Sequence, residues 1–160
     1  MNDLVRAAQR GDPAAIDALV RALTPYVGRI CGSIALDRGD DAMQETFIAV
    51  LRNLRSLREP AALHGWVRSI AVRESIRRAR AGDLATELSD EPAPDVDFAN
   101  VLDVRAVLAE LRPSHRAVLV LRDMDGLAEA DVAALLHVPE GTVKSRLHRA
   151  RTEFAGRWHR

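Results

Sequence analysis

One run near the C-terminus carries side chains suited to nucleic-acid chemistry. In Gly141-Thr142-Val143-Lys144-Ser145-Arg146-Leu147-His148-Arg149-Ala150-Arg151, hydroxyl, imidazole, ammonium and guanidinium groups alternate with apolar ones. At 100° per residue, Leu147, Ala150 and Phe154 fall within about 40° of Val143, which defines an inward face. Opposite it lie Ser145, His148, Arg149 and Thr152, with Lys144 and Arg151 to one side and Arg146 to the other. Such groups on an exposed helix face can read base edges in a major groove. Gly141 and Thr142 open the helix with backbone N–H groups and a hydroxyl for a phosphate. A basic helix facing water has the same composition, so the residues before it decide between the two.

Those residues are Ala130-Asp131-Val132-Ala133-Ala134-Leu135-Leu136-His137-Val138-Pro139. They read as a short helix and a tight turn, with Leu136 and Val138 flanking the turn. Small Ala133 and Ala134 allow a second helix to approach closely, as a helix-turn-helix requires. Nucleic-acid binding is therefore the favoured reading of the run.

Catalysis finds no comparable constellation. The five histidines (His64, His115, His137, His148, His159) show no metal-ligand spacing, and no glycine-rich phosphate loop occurs. No enzyme activity, metal or cofactor is expected. The lone Cys31 lies in the apolar run Val27-Gly28-Arg29-Ile30-Cys31 and is read as a buried packing residue.

The chain has 160 residues, 48% hydrophobic and 29% charged, with a formal net charge of zero. That neutrality hides an uneven distribution. Residues 1–80 carry 13 Arg against 9 acidic residues, 81–98 carry 6 acidic residues and no basic one, and 99–160 carry 10 basic against 8 acidic. Two basic lobes flank an acidic strap, and basic lobes suit phosphate backbones. No stretch approaches the ~18 apolar residues of a membrane span. The first residues, Met1-Asn2-Asp3-Leu4, lack the basic and apolar regions of a signal peptide. A cytoplasmic protein without membrane insertion is expected.

The elements that must position these groups all read as helices, and no alternating β-branched run appears. A first helix stops at Gly11. A second starts at Asp12-Pro13, with Asp12 as cap and Pro13 at the first helical position, and runs to about Cys31 with a kink or break expected at Pro25. A third begins near Asp40 and presents Met43, Phe47, Val50, Leu51 and Leu54 inward. A fourth covers 62–80, with Leu63, Trp66, Val67, Ile70 and Ala71 inward, so Trp66 is read as core. Gly82, Pro92, Pro94 and the acidic residues mark 82–98 as a flexible linker. Helices at 99–111, 114–124, 128–136 and 140–156 follow, punctuated by Pro113, Gly126 and Pro139. The expected fold is all-α: two small helical bundles, 1–81 and 99–160, joined by the acidic linker 82–98.

The recognition run resembles region 4 of bacterial sigma factors, in particular the small extracytoplasmic-function (ECF) group. Leu111-Arg112-Pro113 with Arg116-Ala117-Val118 and Leu121-Arg122 resembles the start of that region. In the first half, Asp41-Ala42-Met43-Gln44-Glu45-Thr46-Phe47 and Leu63-His64-Gly65-Trp66-Val67-Arg68-Ser69-Ile70-Ala71 resemble segments of region 2. The resemblance spans essentially the whole chain. It implies a sigma factor that directs core RNA polymerase to promoters. Thr142, Lys144, Ser145, Arg146, His148, Arg149 and Arg151 would contact the −35 element. Arg68, Arg73, Arg77 and Arg80 would lie against the −10 element. Asp40, Asp41, Gln44 and Glu45 would dock on the β′ clamp helices. The β flap, promoter DNA and an anti-sigma factor are further implied partners.

The chain departs from the family at Arg73 and Arg77, where Asn and Asp are usual, and at His137, where the turn usually has Gly. Two other readings stay open at this point. One is a dimeric helix-turn-helix regulator that binds operators without polymerase. The other is a protein that docks on polymerase or an anti-sigma factor without opening promoters.

Overall fold

The computed structural model describes residues 1–87 (backbone alone for 83–87) and 104–158, and every regular element among them is helical. The first four helices are α1 (Asn2–Gln9), α2 (Pro13–Ala35), α3 (Gly39–Asn53) and α4 (Leu63–Glu87). After the undescribed residues 88–103 come α5 (Val104–Ala109), α6 (Pro113–Leu119), α7 (Glu129–Leu136) and α8 (Glu140–Trp158).

In the first bundle α2, α3 and α4 pack against one another and α1 lies on α2. Leu19, Leu23, Val27, Ile30 and Ile34 recur at intervals of three and four along α2 and are at most 1% exposed. Each such side chain contributes about 1.5–3 kcal/mol by leaving water. They meet Leu63, Val67, Ile70 and Ala71 of α4, and Cys31 is fully buried beside them. Burial pushes the Cys31 thiol pKa up, against weaker opposing hydrogen bonds from Ser75 and Thr46.

The start of α2 follows from its cap. Asp12 Oδ1 accepts from the Ala14 and Ala15 amides at 2.9 and 3.2 Å. Of the kink or break expected at Pro25 there is no break, for α2 runs on through it. Pro25 is exposed, so water can take up the carbonyl freed by its missing N–H, which lowers the usual cost. The helix ends where Leu36 takes φ 55° and ψ −116°, a strained setting for a residue with a side chain. A short 3₁₀ turn, Leu36–Arg38, then reverses the chain into α3. Gly39 crosses Gly32 so closely that a Cβ at Gly39 would lie 3.0 Å from the Gly32 Cα. That contact seats the first turn of α3, with Asp40 and Asp41, against α2.

The inward face of α3 is rotated from the expected one. Ala42, Thr46 and Val50 are buried, Met43 and Phe47 flank them half-buried, and Leu51 is 40% exposed. Thr46 can enter the core because its hydroxyl donates to the Ala42 carbonyl at 2.7 Å. Helix α4 continues to Glu87, past the expected end at 80 and into the stretch read as linker. Ala81, Leu84, Ala85 and Glu87 are good helix formers, and no proline comes before Pro92. The rest of that stretch, 88–98, lies outside the described residues, as does 99–103 of the helix expected at 99–111.

In the second half, Pro113 stands at the first position of α6, as its fixed φ favours. The helix passes directly into a π-turn, Val120–Met124, closed by the Asp125 amide on the Val120 carbonyl at 2.9 Å. All seven residues from His115 to Leu121 are buried. A surface helix would bury one face only. Here α6 is covered by α8 on one side and by α2 and α4 on the other.

Candidate nucleic-acid interface

Helix α7 is short and ends on His137, which takes φ 53° and ψ 45° in the left-handed region. The Val138 amide reaches back to the Ala133 carbonyl at 3.1 Å, closing the cap. The turn therefore needs the conformation for which glycine is usual, and a histidine adopts it. Pro139 then leads into α8.

The angular reading of α8 holds. Val143, Leu147 and Ala150 are 0–3% exposed, and Phe154 packs half-buried with its ring stacked on Trp158. Ser145, His148, Arg149 and Thr152 face solvent with Lys144 and Arg151, while Thr142 and Arg146 are half-buried. Ser145 Oγ donates to the Thr142 carbonyl at 3.0 Å, which leaves that hydroxyl its acceptor lone pairs.

The cations of α8 are held differently from one another. Lys144 Nζ stands 3.8 Å from Glu129 at the start of α7. Arg151 grips Asp123 of the π-turn with Nε and Nη2 at 2.9 and 2.6 Å. That hydrogen-bonded pair, against an opposing desolvation, holds the Asp123 carboxyl below its usual range and raises the Arg151 pKa. Among the described residues no carboxylate lies within ion-pairing distance of Arg146 or Arg149. The Asp123 partnership was not visible in the sequence, since 28 residues separate the two side chains.

In the first bundle, Asp40, Asp41 and Gln44 are exposed on the first turns of α3. Glu45 turns away from them toward α4. Its carboxylate accepts from Arg78 at 2.8 Å and lies 3.7 Å from Arg77. Arg77 is also held by Glu74, with Nε and Nη2 on one carboxylate oxygen at 2.9 and 2.5 Å. Arg68 donates to the Tyr26 hydroxyl at 2.7 Å, so it joins α4 to α2. Arg73 and Arg80 are exposed. Arg73, Arg77 and Arg80 line one wall of a cleft of about 690 Å³ whose other wall is Leu135, Leu136 and His137 of α7. Trp66 packs half-buried against the core, as read from the sequence. Arg78 is the α4 residue that Glu45 holds most closely.

Both halves of the chain match established sequence families. The family described as Sigma-70 region 2 matches residues 16–84, and Sigma-70, region 4 matches residues 102–154. The ECF RNA polymerase sigma factor SigM of Mycobacterium tuberculosis is 34% identical over 160 residues, covering 96% of this chain and 82% of the relative. The RNA polymerase sigma-H factor of Pseudomonas aeruginosa is 31% identical over 173 residues, covering 92% and 88%. Among solved structures, CnrH in complex with the cytosolic domain of CnrY superimposes with a TM-score of 0.64 at 22% identity, covering 97% of this chain and 94% of that one. The sigma factor RpoE in complex with the anti-sigma factor NepR from Bartonella quintana gives 0.65 at 22% identity, covering 86% and 92%. These two share the fold. With regions 2 and 4 both matched and full-length relatives a third identical, the chain belongs to the ECF RNA polymerase sigma factors.

Proposed function

We propose that this sigma factor reads the −35 element with the outer face of α8 and docks on core polymerase through the first turns of α3. The observation that carries the first part is the solvent-facing set Ser145, His148 and Arg149 opposite buried Val143, Leu147 and Ala150. Lys144 joins the base-reading set, and Thr142, Arg146 and Arg151 lie where phosphates pass. Asp40, Asp41 and Gln44, with Glu45 at the edge of the patch, form an acidic and polar surface that can receive Arg or Lys from the β′ clamp helices. Arg73, Arg77 and Arg80, with Arg68 behind them, present positive charge for the −10 strand. The proposed organisation is a region 2 domain (1–81, its last helix carried on to Glu87), an acidic linker within 82–98, and a region 4 domain (99–160) that also meets the β flap.

The protein is proposed to act as an initiation factor, not as an enzyme, and in the cytoplasm. Among the described residues no helix is long and apolar enough to cross a membrane. An anti-sigma factor is a further proposed partner, supported by the like-folded RpoE, solved with NepR.

A second reading has its own support. Arg73 and Arg77 replace the family's usual Asn and Asp, and Arg77 is engaged by Glu74 and Glu45. A protein that docks on polymerase without opening promoters would have those features. Reconstitution with core polymerase separates the two: defined start sites on a genomic template library support the sigma role with both promoter elements. Tight core binding with no transcript from any template favours the second reading.

A further inference from the structure

The four cations of the recognition run 142–151 fall into two classes. Lys144 and Arg151 lie within about 20° of each other along one edge of α8, seven residues apart. Each of them faces a carboxylate, Glu129 for Lys144 and Asp123 for Arg151. Arg146 and Arg149 face none among the described residues. Within the recognition run 142–151, one edge thus has its charge cancelled within the protein and the other does not; Arg157, further along α8, is held by Glu110 and Glu153.

The two cancelled positions are unequal. Lys144 is a flexible ammonium 3.8 Å from its partner, and it can swing to a phosphate at little cost. Arg151 is held by two parallel hydrogen bonds, the geometry in which a guanidinium and a carboxylate pair best. Asp123 reaches it because the π-turn adds a residue to the end of α6 and swings the side chains after Val120 around the axis. The Arg151 and Asp123 side chains are 53% and 35% exposed, so the pair adds little to stability. Its consequence is for the field that approaching DNA meets. A phosphate beside Arg151 also finds a carboxylate there, so few counterions are released by the contact.

We propose that Asp123 is a specificity-setting residue of the DNA interface. It neutralises Arg151, so α8 is held to the duplex by its Arg146–Arg149 edge and by base contacts, with less sequence-independent attraction than four uncancelled cations would give. Competing sites in a genome outnumber promoters by many orders of magnitude, so lowering general affinity raises the useful contrast. This inference rests on the reading of α8 as the DNA-contacting helix.

The test is a double-mutant cycle on the full chain, with binding to a labelled duplex of arbitrary sequence followed against salt concentration. Asp123→Asn is expected to raise affinity about three- to tenfold at low salt and to steepen the log–log salt slope by about 0.9, one additional phosphate. Arg151→Gln is expected to change the slope little in the native background and to abolish the gain in the Asp123→Asn background. The net charge change is the same in both halves of the cycle, so the long-range field cancels. Asp123→Ser provides the same loss of charge with a different shape. If Arg151→Gln flattens the slope equally in both backgrounds, Arg151 holds a phosphate despite Asp123 and the inference is overturned, while α8 remains the DNA face. If Arg151→Gln changes the slope in neither background and Arg146→Ala leaves binding unchanged too, the DNA interface lies elsewhere and both readings fall.

Discussion

Arg78 Nη2 donates to Glu45 Oε1 at 2.8 Å, joining α3 to α4 across 33 residues of sequence. A residue that the family resemblance assigns to polymerase docking is therefore also a tie within the bundle. The Arg78 Nε is buried with no partner of its own, so this guanidinium depends on Glu45 for charge compensation. Glu45→Lys would set a third cation against Arg77 and Arg78. Since both partners are about a third exposed, the expected loss is about 1 kcal/mol, which lowers Tm by roughly 2–4 °C. Asp41→Lys and Gln44→Lys, on the exposed part of the face, should lose core-polymerase affinity with Tm unchanged. Thermal melts beside a core-binding titration check this. An unchanged melt for Glu45→Lys would show that the tie does not support the bundle.

The helices and their faces were readable from the chain because local chemistry sets them. Asp12 and Pro13 start α2, and the 100° spacing of Val143, Leu147 and Ala150 fixed the inward face of α8. Helix ends were harder. Gly82 and the acidic residues suggested that α4 stops near 80, yet one glycine costs only about 1 kcal/mol and the helix formers after it carry α4 on. On α3, close packing of small Ala42 and self-bonded Thr46 outweighed the larger Leu51. The polar ties that shape the candidate site were not legible, because Arg68 with Tyr26, Glu45 with Arg78 and Asp123 with Arg151 meet only after folding. Charge counting placed the basic lobes and could not say which of their arginines were already matched.

His137 offers a gain in stability. Its φ of 53° is available to any residue at a cost and to glycine at almost none. The side chain is exposed, so little packing is lost on its removal. His137→Gly is expected to stabilise the second bundle by about 0.5–1 kcal/mol, net of the greater freedom of glycine in the unfolded chain. Differential scanning calorimetry would show a transition shifted up by a few degrees. A drop in Tm would mean that His137 makes a contact worth more than the strain.

Arg29 and Asp125 tie the two halves of the described structure together. Arg29 Nη1 on α2 lies 2.9 Å from Asp125 Oδ1 just after the π-turn, and the Asp125 side chain is only 4% exposed. Its Oδ2 has no partner, so Arg29 is the main compensation for a buried charge. Arg29→Ala should cost about 1–3 kcal/mol, less than a fully buried pair because Arg29 is half-exposed. The expected response is separation of α6 from α2, read as a longer distance between labels on α2 and α8. Asp125→Asn, which removes the charge with its partner's reason for binding, should be milder. Equal label distances in all three proteins would show that the Arg29–Asp125 pair is not needed to hold the halves together, leaving the apolar cover on α6 and the Arg105–Asp37 pair to do so.

Arg149 tests the assignment of base reading most directly. It is exposed on the face opposite the α8 core, with no carboxylate to satisfy it among the described residues, so its fork of donors is available to a base edge. A bidentate contact to guanine is worth about 1–3 kcal/mol of discrimination, so Arg149→Ala should weaken binding to the preferred sequence by roughly tenfold or more and to a sequence changed at the base pair it reads hardly at all. The measurement is holoenzyme affinity, or transcript yield, on a promoter and on variants substituted at each −35 position. One position that ceases to matter in Arg149→Ala identifies the base it reads. A uniform loss across every variant, with a salt slope flatter by about 0.9, would instead place Arg149 on the phosphate backbone and leave base reading to Ser145 and His148.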